Sequence, residues 1–243
     1  MKSIAFLSSM PFESDRVLSC LKNVRKTEIA GKIIYKGRFS GTDLILINTG
    51  IGKVNAAHSA TCIIETIPVK KIINIGVGGA YPGKGLGVGD IAVATKEIYG
   101  DEGVIDSGGW SSMKKIGIPL VQKGRKKYFN EFPVMLPPLP WKRLAGKGGE
   151  FSGFKVETGN FVTVSAASGT SKRAEELGKK FNALCENMEG AAIAQVCAIY
   201  NIPVFEIRGI SNIAGIRDKR RWNLSLASEN CQKAGMEMIK LFS

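Results

Sequence analysis

The chain is punctuated by short apolar runs that carry almost no charge and stop at a glycine or a small polar residue. Ile4-Ala5-Phe6-Leu7 ends in Ser8-Ser9, Ile72-Ile73-Asn74-Ile75 ends in Gly76, and Val204 to Ile207 leads into Arg208-Gly209. Runs this short and this apolar read as buried strands. Between them, Val54, Ala57, Ala60, Ile63, Ile64 and Ile67 recur at helical spacing. The same reading predicts strands at 3–9, 71–76, 90–95, 154–165 and 203–210, and helices at 15–23, about 171–181, 188–200 and 223–241. A hairpin is expected from 32–39 and 43–49, turning at Gly41-Thr42. Helices alternate with strands except in that early pair. The pattern implies an α/β fold, a three-layer α/β/α sandwich around a central mixed β-sheet.

At 243 residues the simplest organisation is one domain over 1–243, without repeat or linker. The stretch from about 104 to 150 is expected to be loop-rich, with Trp110 and Trp141 arguing against disorder. No apolar run is long enough to span a membrane, and the N-terminal run is too short for a signal peptide. The five cysteines are scattered, and with a single histidine, His58, no Cys/His metal cluster can be assembled. Free thiols in a reducing cytoplasm are expected. The net charge of +13 is spread along the chain, and its densest runs, 123–127 and 219–221, carry no interleaved aromatics. It reads as a solvated basic surface that attracts an anionic small molecule rather than as a nucleic-acid interface.

Several polar residues stand where polar residues are costly. Glu189 opens a very apolar helix, within Asn187-Met188-Glu189-Gly190. It either favours the helix dipole or is held toward a ligand's hydroxyls. Arg208 sits inside an apolar strand and requires a carboxylate partner: Glu13, Glu189 or another carboxylate. Asn212 follows that strand, and an amide offers both a donor and an acceptor to a ring edge. Turn or cap duty is its alternative. Gly76-Val77-Gly78-Gly79 is either a tight turn or a place where backbone N–H groups approach a ligand, with Gly78 and Gly79 as the contacts. Glu13, in Met10-Pro11-Phe12-Glu13, is of interest only if other acidic and amide groups converge on the same sheet edge. Such convergence would lie at the carboxyl ends of the strands, where open α/β sheets bind ligands.

Taken in order, Met10-x-x-Glu13, Gly-Ile-Gly-Lys-Val-Asn-Ala-Ala at 50–57, Gly-Val-Gly-Gly at 76–79, Val-Gly-Asp-Ile at 88–91, Asn-Met-Glu-Gly at 187–190 and Arg-Gly-Ile-Ser-Asn at 208–212 resemble the nucleoside phosphorylase/nucleosidase family. The methylthioadenosine/S-adenosylhomocysteine nucleosidases are among its members. Residues 208–222 are most similar to the branch that hydrolyses futalosine, a menaquinone-pathway nucleoside, to hypoxanthine. The resemblance implies cleavage of an N-ribosidic bond through an oxocarbenium-like centre, without metal or cofactor. By it, Glu13 would deprotonate the attacking water, Glu189 would hold the ribose hydroxyls and Arg208 would help to place both. Phe161 would stack on the purine beside Val162, Met188 would pack on the sugar, and Ser211 would join the substrate contacts. A homodimer or higher homo-oligomer is also implied.

Two departures refine the expectation. Adenine-cleaving members carry Asp where this chain has Asn212. A carboxamide can donate to a 6-oxo group while accepting from a protonated N7, which points to a hypoxanthine-type base and leaves the proton source open. The phosphate-binding hydroxyls and early Arg loop of the phosphorylases are absent from 76–79 and 11–13, which favours water as acceptor. Arg217, Arg220 and Arg221 are candidate contacts for a substrate carboxylate. The remaining alternatives are a methylthioadenosine, S-adenosylhomocysteine or aminofutalosine nucleosidase, a purine nucleoside phosphorylase, and a nucleoside-binding module without catalysis.

Overall fold

The computed structural model describes residues 2–138 and 153–242; the expectations for 139–150, Trp141 among them, lie outside the described residues. Strand β1 (Ser3–Ser8) runs parallel to the later strands that flank it, and its apolar run is wholly buried. The helix expected over 15–23 is a single short turn, α1 (Asp15–Ser19), because the chain re-enters the sheet at Lys22. There β2 (Lys22–Ile29), β3 (Lys32–Phe39) and β4 (Thr42–Asn48) form an antiparallel meander. The expected hairpin is its second half. β2 is a largely exposed edge rich in Lys and Arg, which hides its strand character from apolar periodicity and guards the edge against pairing with other chains.

Helix α2 (Lys53–Thr66) forms where the periodic stripe predicts it, with Ala60 and Ile63 buried but Val54 83% exposed, and leads into β5 (Val69–Ala80), the longest described strand. β5 continues through Gly76-Val77-Gly78-Gly79, so these residues are strand and not a turn. A Cβ on Gly76 would lie 2.6 Å from Arg208 Nη1 and 2.8 Å from Glu13 Oε1, and one on Gly78 would lie 2.5 Å from Cys185 Sγ. These glycines make room for side chains of neighbouring elements.

After β6 (Ile91–Tyr99) the loop-rich stretch holds more order than its composition suggests. It forms β7 (Gly103–Asp106) and β8 (Gly109–Ser112) as one hairpin, the short α3 (Met113–Ile116), β9 (Val121–Lys123) and β10 (Lys126–Tyr128) as a second hairpin, and β11 (Glu131–Pro133) along β6. β12 (Val156–Thr163), α4 (Ser171–Lys180), β13 (Ala183–Asn187), α5 (Gly190–Tyr200), β14 (Val204–Ile213) and α6 (Leu224–Lys240) complete the chain. The caps are local: Thr170 Oγ1 accepts from Arg173 N, and Asn223 Oδ1 from Leu226 N.

The ten-stranded mixed sheet runs from β2 through β3, β4 and β1 to β5. Beyond β5 it closes on itself. β14 pairs in parallel with β5 and antiparallel with β6, β6 pairs with β12, β12 with β13, and β13 returns antiparallel to the end of β5. Helices α2 and α5 pack together on one face over Ile63, Ile72, Phe161 and Ile193. Helix α6 covers the other face, with Phe6, Ile75, Cys231 and Ile239 at the contact. This is the expected α/β layering, with a ring of five strands set into its sheet. The five cysteines are all free thiols.

Candidate active site at the end of the strand ring

Glu13 follows β1 on a 3-10 turn, Pro11–Glu13, that aims its side chain inward, and it is 3% exposed. Its carboxylate is held by backbone alone. Oε2 accepts from Ser9 N at 2.9 Å and Met10 N at 2.8 Å, and Oε1 accepts from Val77 N at 2.8 Å. Burial raises its pKa above the usual carboxylate range, against the lowering pull of Arg208 and of the backbone donors.

Arg208 is among the largest fully buried side chains of the described residues. Its expected partner Glu189 is present, with Nη1 to Oε2 at 3.5 Å. The shorter pairing is with a residue that motif reasoning missed: Glu206 Oε1 accepts from Nε at 3.0 Å and stands 2.9 Å from Nη2. The signal was available, because residues two apart in a strand share a face, and Glu206 and Arg208 lie in one apolar run. The ring strands feed this cluster, with Glu97 from β6, Thr163 from β12, Asn187 from β13 and Glu206 and Arg208 from β14, all buried. A Cβ on Gly190 would collide with both Glu97 Oε1 and Glu206 Oε2, so these two carboxyl groups close around that glycine. Glu206 Oε2 is buried without a hydrogen bond of ordinary geometry, and Glu97 and the Asn74 side chain stand beside it. Burial together with the charge of Glu206 holds the Glu97 pKa well above the usual range.

Glu189 is the N-cap residue of α5, yet its side chain does not cap. It turns to Gly52 N, 2.9 Å from Oε1, and to Arg208. The helix start is satisfied instead by Asn187 Oδ1, which accepts from Glu189 N at 3.0 Å and Gly190 N at 2.7 Å, and by Thr163 Oγ1, which accepts from Ala191 N at 2.8 Å. Glu97 in turn accepts from Asn187 Nδ2 and Thr163 Oγ1, both at 2.7 Å. The buried acid therefore orients the caps, and the caps free Glu189 for the cavity.

Asn212 lies within β14 and not after it. The β5 register slips at Ser211, so that Ile210 faces Gly78 and Asn212 faces Gly79. Such a bulge re-aims side chains at the end of a strand. Ser211 Oγ donates toward Asn212 Oδ1 at 2.8 Å, and Asn212 Nδ2 donates to Ile213 O at 3.1 Å.

These groups line one cavity of about 450 Å³. Among the residues expected at the site, Glu13, Gly78, Gly79, Met188, Glu189, Arg208, Ser211 and Asn212 are brought together there, and Arg217 joins them, stacked on Trp222 at 4.8 Å. Arg220 is held by Asp218 at the surface, and neither it nor Arg221 lines the cavity. Phe161 and Val162 also do not. Phe161 is buried against the α2/α5 layer, and Val162 packs with Tyr81 and Ile98. Both lie in the middle of the sheet, since β12 must run on to Thr163 before the chain reaches the cavity rim at Ala167 and Ser168. Glu186 and Ser168, which the motifs did not single out, do line it.

Burial also raises the pKa of Glu206, so Glu13, Glu97 and Glu206 share one sign. A carboxyl with a raised native pKa holds its proton when the unfolded chain has lost it. Its contribution to stability is full below the unfolded value and is lost as pH rises through the native one. Glu97→Gln mimics the protonated acid. It is expected to flatten the fall in unfolding free energy between about pH 5 and pH 7, measured by denaturant titration against the unaltered protein. Equal slopes would remove Glu97 as a proton-bearing group.

The chain matches the Phosphorylase superfamily over residues 3–243. It is 36% identical to the futalosine hydrolase of Thermus thermophilus over 199 residues, 82% of each chain. It is 29% identical to the 5'-methylthioadenosine/S-adenosylhomocysteine nucleosidase of Halalkalibacterium halodurans, over 97% of this chain and 96% of that one. The Neisseria meningitidis nucleosidase of the same name, solved in complex with methylthio-immucillin-A, superposes with a TM-score of 0.81 over 99% of both chains at 28% identity.

Proposed function

Because this chain belongs to the phosphorylase superfamily, we propose that it is a nucleosidase that hydrolyses the N-ribosidic bond of a 6-oxopurine nucleoside, with futalosine as the substrate. The observation that carries hydrolysis over phosphorolysis is the state of the acceptor side. Three backbone N–H groups and a buried guanidinium would cradle an anion well. Here the carboxylate of Glu13 fills that cradle, accepting from Ser9, Met10 and Val77 beside Arg208. A phosphate would meet a like charge, whereas water would meet a base.

The remaining groups have matching tasks. Glu13, with its raised pKa, is suited to take a proton from water near neutral pH. Glu189 keeps acceptor capacity beyond Gly52 N and Arg208 for the ribose hydroxyls, and its charge favours the cationic ribosyl centre. Asn212 reads the purine edge from the cavity wall beside Gly79. Arg217 offers a cation to a carboxylate on the 5′ side. The nearly full-length similarity to nucleosidases acting on methylthioadenosine supports a second reading, the 6-amino nucleosides.

Incubation with futalosine, inosine and methylthioadenosine, with and without phosphate, separates these readings by the base released. Hypoxanthine from futalosine without phosphate is the expected result. Adenine from methylthioadenosine with futalosine untouched would establish the second reading, and strict phosphate dependence would overturn hydrolysis.

A further inference from the structure

The cavity holds one acidic side chain that the proposed chemistry leaves idle. Glu186, at the end of β13, is 6% exposed and lines the cavity with Asn212. Both residues are in register with the same residue of β5, Glu186 from one side and Asn212 from the other, and that residue is Gly79. Partners in register share a face of the sheet, and neighbouring strands lie about 4.8 Å apart. The two Cα atoms therefore stand about 10 Å apart across a position without a side chain. A Cβ on Gly79 would lie 3.4 Å from Asn212 Nδ2, so the amide covers the same side of that gap.

The carboxylate of Glu186 is held firmly. Oε1 accepts from Ser168 N at 2.7 Å, and Oε2 accepts from Ser168 Oγ at 2.5 Å and from Tyr81 Oη at 3.2 Å. A carboxylate has about four acceptor positions, so one remains. Three donors hold both of its oxygens as acceptors.

That matters because Asn212 alone is ambivalent. Turned one way, an amide matches a 6-oxo group beside a protonated N7. Turned the other way, it pairs with the N6 and N7 edge of adenine, as Asn does in DNA. An ionised carboxylate has no second orientation. A 6-oxopurine carries a proton on N1, and a 6-aminopurine carries a lone pair there. We propose that Glu186 is the residue that selects a 6-oxopurine, by accepting the N1–H bond of the base while Asn212 serves position 6 and N7. This deepens, and rests on, the reading of the site as a purine nucleosidase.

Glu186→Gln tests it. With its oxygen kept on Ser168 N, the new amide has two hydrogens: the Ser168 hydroxyl reverses to accept one, Tyr81 Oη gives up its bond, and the other hydrogen is offered to an unprotonated N1. The substrates are futalosine and its 6-amino analogue, identical apart from position 6. The unaltered protein is expected to favour the 6-oxo substrate in kcat/KM by a factor on the order of 100 or more, because an unmatched buried polar group discriminates strongly. The variant is expected to move that ratio at least about thirtyfold toward the 6-amino substrate. A ratio within threefold of the unaltered one would overturn the inference while leaving the nucleosidase reading intact.

A second measurement needs no variant. Titration of the unaltered protein with hypoxanthine and 1-methylhypoxanthine should show binding of the first and at least tenfold weaker binding of the second. Equal binding, or no binding of either base, would overturn the role of Glu186. Base binding as expected without cleavage of any nucleoside would retain that role and discard the enzymatic reading.

Discussion

Glu13→Gln is expected to lower kcat by about a thousandfold or more, within the range general-base removal produces, while a nucleoside still binds. The side chain keeps its length, so the sugar and base pockets are untouched. What is lost is the acceptor for the water proton and one negative charge near the ribosyl cation. The amide also fits its cradle poorly. With its oxygen on Ser9 N and Met10 N, its NH2 faces the Val77 N–H, two donors head to head. Some loss of stability therefore accompanies the loss of rate, on the order of 1–3 kcal/mol. Single-turnover cleavage and equilibrium binding separate the two effects. The pH profile gives a second readout. The acidic limb of kcat/KM in the unaltered protein should fall at a pH above the ordinary carboxylate range, because burial raises the pKa of Glu13. Residual turnover in the variant should lack that limb. Turnover within tenfold of normal would remove Glu13 from the chemistry.

The largest expected effect on stability is at Arg208. It is the cation that faces Glu13, Glu189 and Glu206, all of them nearly or wholly buried. Arg208→Met keeps much of the volume and removes the charge. Stranding buried carboxylates in this way costs about 3–5 kcal/mol. The carboxyls can respond by taking up protons, so the loss should be greatest at high pH and smaller near pH 5. Adding Glu206→Leu removes the closest stranded partner and is expected to recover part of the loss, a positive coupling in a double-mutant cycle. Chemical denaturation of the single and double variants at two pH values measures it. A single variant within 1 kcal/mol of normal would mean that the cluster is not held by charge.

Much of the layout was legible because apolar periodicity is a local property. The runs at 3–9 and 71–76 report burial directly and the stripe from Val54 to Ile67 reports a helix, and the structure places β1, β5 and α2 there, with Val54 itself exposed. β2 was not legible, since its eight residues are mostly charged and exposed and become a strand only by pairing with β3. The glycines at 76–79 were ambiguous for a related reason. Alone they suggest a turn, and only the side chains of Arg208, Glu13 and Cys185 explain why a strand lacks side chains at Gly76 and Gly78.

The site divides in the same way. Glu13, Glu189, Arg208 and Asn212 could be picked out because each is a polar residue in an apolar setting, and an ordered set of motifs links them. Phe161 was misplaced because an aromatic residue at a strand end is equally at home in the core, where this one lies. Glu97, Glu186 and Glu206 carry no motif of their own. Their importance comes from neighbours on other strands, Thr163 and Asn187 for the first, Ser168 and Tyr81 for the second, Arg208 for the third.

By itself, then, the sequence determined the layering, the family and the acid, amide and guanidinium that face the cavity, because burial patterns and short motifs are written in consecutive residues. The tertiary structure decided the rest: the closure of β14 and β13 around β5, the juxtaposed carboxyl groups of Glu97 and Glu206 behind Glu189, and the placement of Glu186 opposite Asn212 across Gly79. Those are relations between residues far apart in the chain. The free energies that set them, desolvation of charge and the pairing of buried donors with acceptors, are defined only once the strands have come together.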